Sequence, residues 1–315
     1  MTASKGEVLK AIDELKSFDL RIADYFEIKK RTDILVRSGF LGAFFPKYHQ
    51  PIYRGRVVQP NNVFHEVSKI SYPPKSDPSK LSFNRLSTNR FQIFYGAMMP
   101  QESRIDQITA MIEVGSITRD NFKDEDEEYI QIGRWGVKEG FNLAILGLHS
   151  ELANRNTQAQ ETKKIHKNLT GKLKEDGETI EIVAEFMSHE FSKKVESGNE
   201  WQYKISSAYG DAIFETGIEA IQFPSVKADG KSHNIAIHKN LVDNAMEIEV
   251  AAITRMRKIN KDIIVDWFLQ SPTISEGKFR WKEPPSSAVT GNYEMKLIRE
   301  NMARNGGKFI NNPPS

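Results

Sequence analysis

Five short segments, far apart in the chain, hold side chains suited to gripping an anionic, ring-bearing ligand. In Tyr53-Arg54-Gly55-Arg56 the arginines alternate, so on a strand Arg54 and Arg56 share a face and can meet one anion. Arg85 follows a Pro- and Ser-rich loop that includes Ser71-Tyr72-Pro73-Pro74, where a guanidinium reaches a phosphate through two parallel hydrogen bonds. Phe94-Tyr95-Gly96-Ala97 ends an apolar run with small residues after a tyrosine, which leaves room for a flat ring against the phenol. Glu113 shares helical spacing with Ile108, Met111 and Ile112, so its carboxylate has apolar neighbours and needs a specific partner. Phe223-Pro224-Ser225-Val226 adds a hydroxyl. Taken singly, each has a plain structural explanation: a solvated basic face, a core tyrosine, a surface glutamate.

Composition excludes more than it assigns. There is no cysteine among the 315 residues, which removes disulfides, thiolate nucleophiles and thiolate metal sites and suits a reducing compartment. A net charge of +2 is too small for a nucleic-acid or membrane field. The first residues run into an amphipathic pattern with no long apolar stretch, so a cytoplasmic protein without a membrane segment is expected. Gly230-Lys231-Ser232 ends like a phosphate-cradling loop, but Ser225 stands where its first glycine belongs. No Gly-x-Gly-x-x-Gly follows a strand, and the seven histidines form no His-Glu-x-x-His pair.

The elements that must position these residues form a mixed pattern. Apolar residues from Lys5 to about Ser38 recur at helical spacing and stop at Gly39, which predicts one or two helices. Strands are expected over Ile52 to Val58, Val63 to Ile70 and Gln92 to Tyr95, then a helix over Ser103 to Gly115. Tyr129 to Gly147 holds two apolar runs around Lys138-Glu139-Gly140, the pattern of a hairpin. Glu151 to Lys174, Glu178 to Lys194 and Trp201 to Glu215 look helical. Ile218 to Pro224, Asn234 to His238, Met246 to Ile253 and Ile263 to Phe268 look extended. The division expected is a helical extension at 1–45, a main domain at 46–283 with a helical insertion around 150–195, and a loose tail at 284–315 with a short helix near Tyr293 to Met302. The alternation favours a mixed α/β or α+β domain over a bundle or sandwich, and of the two α+β is the class expected.

Read as a series, the segments resemble the RES-domain family of NAD-degrading toxins. Tyr53-Arg54-Gly55-Arg56 is similar to its Arg-x-Arg opening and Asn84-Arg85-Leu86-Ser87 to its Gly-Arg-x-Asn turn. Phe94-Tyr95-Gly96-Ala97 resembles its tyrosine-bearing strand, and Ile108-Thr109-Ala110-Met111-Ile112-Glu113 its Thr-Ala-x-x-Glu helix. Gly217 to Lys227 resembles the late strand ending Tyr-Pro-Ser-Val-Arg, and His233-Asn234-Ile235-Ala236-Ile237 the stretch after it. Asn84, Ser87 and Lys227 depart from the pattern, each toward milder chemistry.

The resemblance implies an ADP-ribosyltransferase-like mixed sheet with added helices, and cleavage of the nicotinamide–ribose bond of NAD by hydrolysis or phosphorolysis. Nicotinamide leaves as a neutral molecule, so one carboxylate that stabilises oxocarbenium-like charge suffices, and Glu113 is the candidate. Arg54, Arg56 and Arg85 are expected on the pyrophosphate, Tyr95 at the nicotinamide ribose, and Ser225 on a ribose or carboxamide. NAD is substrate; no other cofactor and no metal is required. Restraint by an Xre-like antitoxin or by homo-oligomerisation is implied, with the extra helices as the assembly surface. The alternatives are a RES-like module that binds a nucleotide or partner without turnover, and ADP-ribosyl transfer to a macromolecule.

Overall fold

The computed structural model describes residues 2–46, 50–59, 62–74, 81–98, 105–116, 127–259, 262–282 and 293–294. Two helices open the chain, α1 (Lys5–Ser17) and α2 (Tyr25–Ser38). Ser4 and Glu7 form a reciprocal capping box at the start of α1, and the Asp24 carboxylate caps α2. Gly39 ends α2 at φ 116°, a conformation glycine adopts without strain. Strands β1 (Gly42–Phe45), β2 (Ile52–Val58) and β3 (Ile93–Met98) follow, then α3 (Ile105–Val114), β4 (Glu127–Val137) and β5 (Phe141–Ile145). The helical layer resumes with α4 (Thr157–Thr170), α5 (Lys174–Ser192) and α6 (Lys204–Glu215). The chain returns to the sheet through β6 (Ala220–Pro224) and β7 (His233–His238), the short α7 (Lys239–Ala245), β8 (Met246–Ile259) and β9 (Asp262–Ser271). A two-strand ribbon of β10 (Ile274–Ser275) and β11 (Lys278–Phe279) precedes β12 (Tyr293–Glu294), which pairs with β9. The described fold is thus α+β.

Among the described residues the main sheet has ten strands in the order β1-β5-β6-β7-β3-β2-β4-β8-β9-β12, antiparallel except for β5 and β6. The expected hairpin at Lys138 to Gly140 is therefore overturned: β4 pairs with β2 and β8, whereas β5 pairs with β1 and β6. Five strand positions separate β4 from β5, about 24 Å in a flat sheet, yet the four steps from Val137 to Phe141 reach at most about 14 Å. The sheet must curl. Its concave side closes on Ile52, Phe94, Trp135, Val137, Phe141, Leu143, Ile235 and Ile237, which share one buried cluster.

The opposite face of β6, β7 and β3 carries Ile221, Phe223, Ala236 and Ile93 into a second core with α1, α2, α5 and α6. Both faces of β6 are consequently buried along its whole length. Val8, Ile12, Leu15, Ile28 and Leu35 lie in that core, so these apolar residues of the first two helices are covered by the chain's own domain, while Leu9 and Phe26 on the same helices stay exposed. Val63 to Ile70 is not a strand; it holds an isolated bridge and a 3-10 turn at Val67–Lys69. Tyr293 and Glu294 are extended where a helix was expected, and the rest of that expected helix lies outside the described residues, as does Ser103. Among the described residues, no helix is long and apolar enough to cross a membrane.

Candidate active site

A cleft of about 860 Å³ opens where β2, β3 and α3 meet the turn at 84–85, the 194–203 segment and the end of β6. Its volume falls within the range of about 300–1,000 Å³ usual for small-molecule sites. Arg54, Arg85, Tyr95 and Glu113 all line it. Residues as far apart in the chain as Arg54 and Glu113 are thus brought together by pairing β2 with β3 and laying α3 beside them.

Glu113 ends the cleft-facing side of α3. Its Oε1 accepts hydrogen bonds from the Ser225 hydroxyl and from Asn234 Nδ2, the latter at 2.9 Å. Among the described residues no donor is bonded to Oε2, so one carboxylate oxygen is anchored and the other is left to the cleft. Lys227 Nζ donates to the backbone carbonyl of Glu113, capping the last turn of α3 with a cation where the helix dipole favours one.

Two guanidinium groups hold cationic charge at the walls. Arg54 donates through Nε to the Ile70 carbonyl at 2.9 Å and through Nη1 to the Tyr95 carbonyl at 2.5 Å, with Phe94 against its face. Burial, with the nearby charge of Arg56, pushes its pKa down to about 9. Arg85 donates to the carbonyls of Phe191 and Lys193 at the end of α5 and to the Tyr203 hydroxyl at 3.0 Å. Burial lowers its pKa too, partly offset by Tyr203, Glu113 and Tyr95. Among the described residues, neither arginine has a carboxylate within ion-pair distance. Desolvated cations without an anionic partner gain most when an anion arrives.

The Tyr95 hydroxyl is tied to Asn84 Oδ1 and, at 2.9 Å, to the Ser87 hydroxyl. Two of the three departures from the RES pattern therefore act on one atom, holding the phenol by its oxygen. Burial raises the Tyr95 pKa, so the phenol stays protonated. Gly96 and Ala97 line the cleft beside Tyr95, and an added Cβ at Gly96 would lie 2.4 Å from Ile52 Cγ2, so the strand accepts only glycine there.

Two of the residues expected to meet the ligand lie elsewhere, and the reasons are geometric. Arg56 is not among the cleft-lining residues, although it alternates with Arg54; the cleft meets β2 at Tyr53 to Gly55. Ser225 is fully buried, and its hydroxyl is spent donating to Glu113 and accepting from the Ala228 amide at 3.0 Å. It positions the carboxylate from behind. Asn234 and Tyr203 join the site without having been expected there. Asn234 stands in the segment that follows the Pro-Ser-Val step, so its sequence does carry a signal; Tyr203 lies in a stretch whose only message is helix. No protein-family model and no curated protein matches the chain.

Proposed function

We propose that this cleft binds NAD and cleaves its nicotinamide–ribose bond, in the manner of the RES-domain toxins. The observation that carries the reading is a single carboxylate with one oxygen clamped and one free, sharing a cleft with two buried guanidinium groups that have no anionic partner among the described residues. The bond to be broken already carries the positive charge of the pyridinium. Its cleavage needs stabilisation of an oxocarbenium-like ribose and little help for the departing nicotinamide.

Glu113 faces that developing charge, and the Ser225 and Asn234 bonds hold it still, so little reorganisation is spent during the reaction. Arg54 and Arg85 take the pyrophosphate. Tyr95, fixed by Asn84 and Ser87, orients the nicotinamide end through its ring. Water or inorganic phosphate then takes the ribose carbon.

Incubation of the purified protein with NAD tests the reading. Free nicotinamide with ADP-ribose indicates hydrolysis, and ADP-ribose-1″-phosphate indicates phosphorolysis. A labelled macromolecule indicates transfer instead. Tight NAD binding with no product supports a binding module. The absence of both product and binding overturns the proposal.

A further inference from the structure

Outside the cleft, three potential metal ligands converge in the helical layer. His149 lies in the loop after β5, His166 on α4 and Glu181 on α5, and one ligand atom from each lies within 4.8 Å of the others. His149 Nε2 stands 3.1 Å from Glu181 Oε2, and His166 Nδ1 stands 3.1 Å from Glu181 Oε1. At that separation an imidazole and a carboxylate normally share an aligned hydrogen bond. Neither ring nitrogen makes one, and both are buried without a hydrogen-bond partner. Contact distance without a hydrogen bond leaves both ring nitrogens open to a shared ion. Ligand atoms of a tetrahedral ion, with bonds of about 2.0–2.1 Å, sit about 3.3 Å apart, close to the 3.1 Å between His166 Nδ1 and Glu181 Oε1, while His149 faces the other carboxylate oxygen.

We propose that His149, His166 and Glu181 form a binding site for a divalent transition-metal ion of the zinc class, separate from the cleft. Two imidazoles and one carboxylate make a donor set that zinc accepts, with a fourth position open. Thr170 donates to Glu181 Oε1 at 2.6 Å, the outer-shell bond that orients a ligating carboxylate. None of the three ligands lines the cleft, so the role is structural: the ion ties α4 and α5 to the loop leaving β5, and its binding adds to folding stability. Lys163 and Lys167 also act on His149 and repel a dication, which makes the negative charge of Glu181 indispensable.

The test titrates Zn²⁺ calorimetrically into chelator-treated full-length protein and follows Co²⁺ by visible absorption. One ion per chain is expected, with four-coordinate Co²⁺ bands and a thermal midpoint that rises as the ion binds. Glu181→Gln, which keeps the shape and removes the charge, lowers the affinity by more than about a hundredfold, beyond the roughly 10- to 100-fold usual for the loss of one outer-shell partner. His149→Gln does the same. Where a variant does not fold, the wild type decides by NMR: Co²⁺ must shift the ring resonances of His149 and His166 ahead of the other five histidines. No saturable binding, wild-type affinity in both folded variants, or first shifts at other histidines would overturn the site.

Discussion

At the scale of single residues, charge and hydrogen-bonding capacity separate the proposed catalytic carboxylate from the groups that hold it. Glu113→Gln preserves the contacts of Oε1 and removes the charge, so nicotinamide release should fall by orders of magnitude, each tenfold being about 1.4 kcal/mol of lost transition-state stabilisation. Near-normal turnover by the folded variant would show that another group stabilises the cation. Arg54→Lys keeps the charge and loses the fork. Replacing a charged hydrogen bond costs about 1.5–3 kcal/mol, hence roughly tenfold or more in KM, with kcat less affected. Unchanged NAD affinity would remove Arg54 from the binding machinery. Both residue types are legible in the sequence because guanidinium and carboxylate chemistry belongs to the side chain itself. The burial of the Ser225 hydroxyl behind Glu113 is not, since it depends on β6 and β7 bringing Asn234 and Ser225 to the end of α3.

Elements matter through how closely they approach. Gly210 on α6 lets the Leu86 carbonyl come so near that an added Cβ would lie 1.8 Å from its oxygen. In an exposed helix Gly→Ala is worth about 1 kcal/mol of stabilisation, but backbone cannot yield here and overpacking of about 1–3 kcal/mol wins. Gly210→Ala should lower the thermal midpoint and, by displacing the turn that holds Asn84, Arg85 and Ser87, weaken NAD binding as well. A variant with raised stability and intact binding would contradict this packing. The same turn is anchored from below by Asp211, whose carboxylate accepts from Thr88 and from the Tyr25 hydroxyl at 2.5 Å, linking α2, α6 and the turn at the cleft. Helix positions are readable from their apolar spacing and caps, whereas this glycine reads as an ordinary helix interruption.

For the whole molecule, burial of titratable groups sets an acid limit. His233 on β7 is 4% exposed, and burial pushes its pKa down from 6.5 to about 4. A histidine with a depressed folded pKa contributes stability in full above its unfolded value, and that contribution is lost as pH falls toward the folded one. Thermal stability should therefore drop between about pH 6.5 and 4, by on the order of 3 kcal/mol from this group. Burial also lowers the pKa of His238, which adds to the slope in the same direction. Melting His233→Gln alongside the wild type isolates the contribution of His233; identical slopes would refute it. Expression of the whole chain in a bacterial host should deplete NAD and slow growth, and expression of Glu113→Gln should do neither. Undiminished NAD with abundant soluble wild-type protein would favour the binding-module reading.

Local order along the chain is enough to mark out α1, α2, β2, α6 and β7, because apolar spacing and caps act between near neighbours. Side-chain chemistry is likewise enough to single out Arg54, Arg85, Tyr95 and Glu113 as residues worth placing together. The parting of β4 from β5 emerges only in three dimensions, since two apolar runs around a short polar connector carry no record of which strands they will meet. So do the exclusion of Arg56 from the cleft, the service of Ser225 to Glu113 from behind, and the meeting of His149, His166 and Glu181. Each of those outcomes depends on the curl of one sheet and on helices returning from distant parts of the chain, and non-local geometry leaves no periodic trace in the residues that create it.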